Sequence, residues 1–177
     1  MVVTVNYRLG AFGFLYGDTD TSPGNLGFYD QVLGLNWVKQ NIEAFGGNPN
    51  LITIFGESAG GWSVSALITS PVSLGLFQRA IIESGTLYYP NNWVGNGDKN
   101  SQIEEAIKLS KGLGCDVEQW LQCLRKIDAQ KITDYNGFRT NPSIGGQFLP
   151  KSTTNAINTG DFPKGIYIHI ILKNYIN

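Results

Sequence analysis

The chain is short of the residues that most often do chemistry. Its 177 residues include one histidine, His169, and two cysteines, Cys115 and Cys123. A histidine base therefore has one position it can occupy, and the cysteines can make one bridge or remain two thiols. Charge is also scarce, at 15% with a net value of -1, which leaves no basic surface to suit a nucleic acid. No apolar run reaches the length of a membrane-spanning helix, and no basic-then-apolar leader opens the chain. Asn-x-Ser/Thr glycosylation signals are missing too. The hydrophobic content of 42% and four tryptophans indicate a folded chain with a real core.

What the chain does contain is LITIF followed at once by Gly56-Glu57-Ser58-Ala59-Gly60. The bare Gly-x-Ser-x-Gly pattern is common in glycine-rich sequences, so its context has to discriminate. Here β-prone residues precede it, and Trp62, Val64, Leu67 and Ile68 follow at helical spacing until Pro71. A serine between a strand and a helix sits on a sharp turn that lifts its hydroxyl above the sheet. Gly56 and Gly60 are expected to be glycines because a side chain at either would strike the packed strand and helix. The N–H of Ala59 would face a developing oxyanion, aided by the positive end of the helix. The competing reading is a glycine-rich turn that only lets a helix pack on a strand.

The apolar pattern reads as alternating strands and helices. Residues 2–7 predict a strand buried on both faces, placed so early that the domain is expected to begin inside a larger sheet. A glycine-rich loop over 9–24 follows. Asn25 is expected to cap a helix reaching about residue 45, with Leu33 and Trp37 on one face and Gly46-Gly47 ending it. Residues 51–55 and 80–83 predict two further strands around the Ser58 turn, giving an α/β fold with a mostly parallel sheet and flanking helices. The texture then changes to a helical insertion over 90–140. Its first helix is expected from a capping box at Ser101 and Glu104, with later starts at Asp116 and Asp128. A short helix over 153–158 is stopped by Gly160, and 165–172 predicts a closing strand. The tail 166–177 is IYIHIILKNYIN, a residue set that A/T-rich codons can write, and is expected to be divergent.

The stretches VVTVNYRLGAFGFL, PGNLGFYDQVLGLNWVKQNIEAFGGNPNLITIFGESAGGWSVS, SPVSLGLFQRAIIESG and CLRK resemble type B carboxylesterases, the cholinesterase-like branch of the α/β-hydrolases. The resemblance implies a partial α/β-hydrolase fold in which 1–177 forms one incomplete domain. It implies Ser58 as the nucleophile of an acyl-enzyme reaction on a small carboxylic ester and Ala59 as an oxyanion donor, with no metal or organic cofactor. Arg8 and Asp30 match the family's ion pair beneath the active site, and are expected to be buried. Cys115 and Cys123 match a disulfide in the helical insertion, which implies a secretory-pathway parent. Gly145-Gly146 departs from the Asp-Gly usual before Phe148-Leu149-Pro150.

Two triad members are harder to place. An α/β-hydrolase triad runs Ser, acid, His. Ser58, Asp134 and His169 follow that order, yet His169 lies within a strand-like run, whereas a base needs a loop that brings its ring to the serine. The family's acid-bearing segment after residue 166 finds no glutamate in KNYIN, so the chain alone is expected to be inactive. The rival expectation is a non-catalytic cholinesterase-like adhesion domain, or a pseudogene product. Trp62 either narrows the acyl side of a site or belongs to the core.

Overall fold

The opening β-prone run enters no sheet. The computed structural model describes residues 1–88, 97–163 and 165–170, with the backbone alone described for Ile166, His169 and Ile170. Within it, residues 2–7 form no strand, and Val2, Val3 and Val5 are exposed. This corrects the buried strand expected there. Strand propensity reflects packing against neighbours rather than an intrinsic backbone preference. No described strand lies beside this arm, and none of its backbone groups forms a hydrogen bond with another described residue.

The loop expected over 9–24 has structure of its own. It holds a short helix α1 (Gly10–Phe14) and a two-stranded hairpin of β1 (Tyr16–Thr19) and β2 (Ser22–Pro23). Gly13 and Gly27 are small for one reason: a Cβ at either would lie 2.2 Å or 2.4 Å from the Arg8 carbonyl oxygen. Helix α2 (Leu26–Asn41) continues as a 3-10 turn, Ile42–Phe45, and stops at Gly46 with φ 80°. Asn25 occupies the N-cap position but caps nothing with its side chain. Instead its carboxamide exchanges two 2.8 Å hydrogen bonds with the Ser143 backbone, binding the start of α2 to a loop 118 residues away. Leu33 and Trp37 do share a face of α2. That face is turned to solvent, at 70% and 50% exposure.

A parallel sheet in the order β3-β4-β5 follows, made of β3 (Thr53–Glu57), β4 (Arg79–Glu83) and β5 (Ile166–Ile170). With its flanking helices it is consistent with a partial α/β-hydrolase fold. β3 starts two residues later than expected and runs through Gly56 and Glu57, so that Ser58 follows its last residue. Helix α3 (Ala59–Thr69) packs on β3 and β4 and is buried from Ser63 to Thr69. Its hydroxyl side chains are satisfied locally, Ser63 donating to the Ala59 carbonyl and Thr69 to that of Ser65. Val64, Leu67 and Ile68 join Ile54, Ala80, Ile82, Phe28 and Phe148 in the main core.

A second, smaller core lies under the helices α4 (Lys99–Gly112), α5 (Trp120–Leu124) and α6 (Ala129–Thr133). Asp98, rather than Ser101, caps α4 by accepting from the Ser101 N–H, and α5 begins at Trp120 rather than Asp116. Asp128 caps α6. A disulfide joins Cys115 to Cys123 with their Cα atoms 5.8 Å apart, linking the end of α4 to α5. A loop this short limits the constraint on the unfolded chain to about 2–3 kcal/mol. Helix α7 (Thr153–Asn158) is capped by Ser152 and ends before Gly160, as its sequence implies. The start of the insertion expected over 90–140 lies outside the described residues through 96, as does the tail from 171. None of the described helices is long and apolar enough to cross a membrane.

Candidate active site

Ser58 links Glu57, the last residue of β3, to Ala59, the first of α3. Its φ and ψ of 53° and −116° lie outside the regions open to ordinary L-residues. Such a conformation costs about 1–3 kcal/mol and persists only where its surroundings enforce it. Two hydrogen bonds help to do so: the Ser58 N–H donates to the Glu83 carbonyl at 2.9 Å, and the Trp62 N–H donates to the Ser58 carbonyl at 3.1 Å.

Close backbone contact supplies the rest. A Cβ on Gly56 would sit 2.4 Å from the Gly60 carbonyl carbon, so the motif's first glycine is required by the turn. A Cβ on Gly85 would sit 1.9 Å from the Ser58 carbonyl oxygen, and one on Gly61 would sit 2.5 Å from the Gly85 carbonyl oxygen. Ser84, beside them, also has a positive φ of 49°. The turn after β4 is thus wedged against the turn after β3. Gly60 is different. A Cβ there would meet nothing within 4 Å, because this residue borders an open cleft, which corrects the collision expected at that position. Gly61, Ser84 and Gly85 were missed in the sequence. Their signal was a Ser-Gly pair directly after the strand that neighbours the motif.

The Ser58 side chain is exposed and makes no hydrogen bond within the described structure. The N–H of Ala59, in the first turn of α3, is a donor with no intrahelical acceptor. Serine hydroxyl and helix-end donor therefore lie on the same corner. Trp62 is half-buried, outside the fully buried core.

Other candidate residues are more dispersed. His169 falls in β5, paired in register with Ile82, which in turn pairs with Gly56. Its backbone is thus two strands from the elbow, about 10 Å at ordinary strand spacing. Its side chain lies outside the described residues. Asp134 follows α6 and accepts a 2.8 Å hydrogen bond from Gln130. Cys115 and Cys123 belong to the smaller core and take no part in the Ser58 corner.

Arg8 and Asp30 do form an ion pair. Asp30 accepts from the Arg8 backbone N–H, Nε and Nη2 at 3.0, 2.8 and 2.7 Å. The pair is not deeply buried as expected: the side chains are 50% and 23% exposed. Hydrogen bonding from Arg8 holds the Asp30 carboxyl below its usual range despite some burial. The adjacent Gln31 donates to Ser63 Oγ at 3.0 Å, so this region of α2 is tied to α3. With Arg8 half in water, Asp30→Asn is expected to cost about 1–2 kcal/mol, less than a buried pair would. Because the folded carboxyl has the lower pKa, the contribution is full above about pH 4. It fades as acid takes the pH down through the folded value. Thermal melts of both proteins should converge in acid, and identical melts at neutral pH would show that the pair contributes nothing.

The model of the carboxylesterase family matches residues 1–171. Acetylcholinesterase of Leptinotarsa decemlineata is 39% identical over 183 aligned residues, covering 92% of this chain and 29% of the relative. Cocaine esterase of Homo sapiens is 42% identical over 164 residues, with the same two coverages, 92% and 29%. Cholinesterase 2 of Branchiostoma lanceolatum is 37% identical over 172 residues, 91% of this chain and 50% of the relative. The chain thus spans between 29% and 50% of the length of these proteins. With a parallel sheet leading into a strained serine, and a family match along nearly its whole length, the chain belongs to the carboxylesterase family.

Proposed function

We propose that Ser58 is the nucleophile of a carboxylic-ester hydrolase. The observation that carries this reading is the backbone of Ser58, held at φ 53° with its side chain in solvent and the Ala59 N–H beside it. In the reaction the serine oxygen bonds to the ester carbonyl carbon, and its proton passes to a base. The carbonyl oxygen gains negative charge, which the Ala59 N–H stabilises. Collapse of the tetrahedral species, with the base passing that proton to the leaving oxygen, expels the alcohol and leaves an acyl-serine, which water then hydrolyses. The relatives named acetylcholinesterase and cocaine esterase support an ester substrate. The Cys115–Cys123 disulfide supports an oxidising, secretory compartment.

The 177-residue chain by itself has little or no turnover. Ser58 has no hydrogen-bonded base among the described residues, and an unassisted serine hydroxyl is a poor nucleophile. Loss of triad members costs several powers of ten in rate. The purified chain is expected neither to hydrolyse a p-nitrophenyl ester nor to react with a fluorophosphonate probe. Strong labelling that disappears in Ser58→Ala would show instead that the chain carries a working base, with His169 the first residue to test.

A further inference from the structure

Beyond the end of α6 the helical insertion makes a turn at Asn136-Gly137. Asn136 is exposed, and its carboxamide forms no hydrogen bond with any described residue. The Gly137 N–H likewise has no acceptor among the described residues. The pair therefore sets an unengaged side-chain carbonyl carbon beside an unengaged main-chain nitrogen, close enough to shut a five-membered ring. Asparagine is a thermolabile residue for this reason. Elsewhere in the chain that chemistry is held back. Asn25, Asn36, Asn41 and Asn48 each engage the carboxamide in a hydrogen bond, and none of them precedes a glycine. Asn96-Gly97 is the other pair of this type in the sequence, and Asn96 lies outside the described residues.

The flanks of the turn are anchored while its centre is not. On one side the Tyr135 ring lies between the bare surfaces of Gly112 and Gly137, where an added Cβ would come within 2.2 and 2.7 Å of ring atoms. Its hydroxyl donates to the Lys108 carbonyl at 3.4 Å. On the other side Phe138 packs on the smaller core, and the Arg139 N–H donates to the Glu105 carboxylate at 3.4 Å. Both flanks thus rest on α4. The same Tyr135 ring leaves no room for a side chain at position 137, which keeps the nitrogen of that residue uncrowded.

We propose that Asn136 is a site of spontaneous deamidation, with Gly137 supplying the nucleophile. The Gly137 nitrogen gives its proton to solvent base and bonds to the Asn136 side-chain carbonyl carbon, an attack favoured because both groups belong to one chain. The carboxamide nitrogen takes up a proton and leaves as ammonia, which closes a succinimide. Water then adds to one ring carbonyl, and the ring nitrogen takes a proton as its bond to that carbon breaks. Opening at the side-chain carbonyl gives aspartate, and opening at the main-chain carbonyl gives isoaspartate. Water is consumed, ammonia is released, and nothing is oxidised or reduced. Either product adds one negative charge. Isoaspartate also adds a main-chain carbon between Tyr135 and Phe138, which are both fixed on the smaller core.

The test ages the full folded chain for days in mildly alkaline buffer and follows the tryptic peptide 132–139 by mass spectrometry. Lys131 and Arg139 bound this peptide, so Asn96 does not contribute to it. The peptide is expected to gain the mass of an amide exchanged for an acid, at a rate that rises with pH. It should divide into two chromatographic forms, one of them methylated by an isoaspartyl methyltransferase. Since no described residue holds the carboxamide, the folded chain should react within a factor of ten of the excised peptide. Asn136→Gln, which enlarges the ring to be closed, should slow the reaction at least tenfold and leave the thermal melt unchanged. An unmodified peptide would overturn the proposal, as would a folded chain more than tenfold slower than the excised peptide. Aspartate without isoaspartate would also overturn it, because direct hydrolysis bypasses Gly137, and so would an equal rate in Asn136→Gln.

Discussion

Gly85→Ala is expected to lower the melting temperature by roughly 5–15 °C, corresponding to about 2–4 kcal/mol of overpacking. The new methyl would fall 1.9 Å from the Ser58 carbonyl oxygen and 3.0 Å from the Ser58 Cα, so backbone rather than a flexible side chain has to yield. The strained turn after β3 and the turn after β4 would be forced apart. Gly60→Ala is the matched control. That position meets open space, and alanine is the better helix former by about 1 kcal/mol. Its melting temperature should be unchanged or slightly raised. Equal losses at the two positions would mean that Gly85 is not wedged against Ser58. The contrast inverts what the Gly-x-Ser-x-Gly pattern suggests, since the damaging glycine lies outside the motif and a tolerant one lies inside it.

Phe148→Ala should be comparably or more severe, at about 3–5 kcal/mol. The ring is 1% exposed and lies stacked on Phe28, with centroids 5.1 Å apart and planes 21° apart, while Tyr29 meets it edge-on at 5.4 Å. Those two partners begin α2, the helix that carries Asp30 and Gln31. Removing the ring would leave a cavity and release the return loop from α2, whose remaining ties to it include the Asn25–Ser143 hydrogen bonds. Denaturant unfolding provides the measurement. A midpoint that barely moves would show that the loop collapses to fill the space. The same loop explains the Gly145 departure. Its φ of 90° is a conformation that suits glycine, and its N–H donates to the Leu149 carbonyl at 2.8 Å, folding Phe148 inward.

The elements around Ser58 were legible because local signals agreed there. β-branched residues led into glycines, and a helical apolar period led out, so the strand, turn and helix could be read within two residues. Cap residues were legible where a short polar side chain preceded the first turn, as at Asp128. Asn25 has the same chemistry and could not be separated from them. Its side chain is claimed by a backbone segment 118 residues distant, and no local pattern records that. Residues 2–7 show the opposite failure: their composition suits a strand, but a strand is a property of pairs. The faces of α2 were hidden for a related reason. The i, i+4 spacing of Leu33 and Trp37 shows that they share a side, not which side meets the core. At the site, Gly85 could be recognised only once the two strand ends were seen in parallel register.

The crowding of the Arg8 carbonyl between the bare surfaces of Gly13 and Gly27 has a mechanical consequence. Together with the grip of Asp30, it makes a knot where the leading residues meet the body of the molecule. Cleavage of the backbone anywhere before that knot would leave the hold on Arg8, and the serine corner behind it, in place.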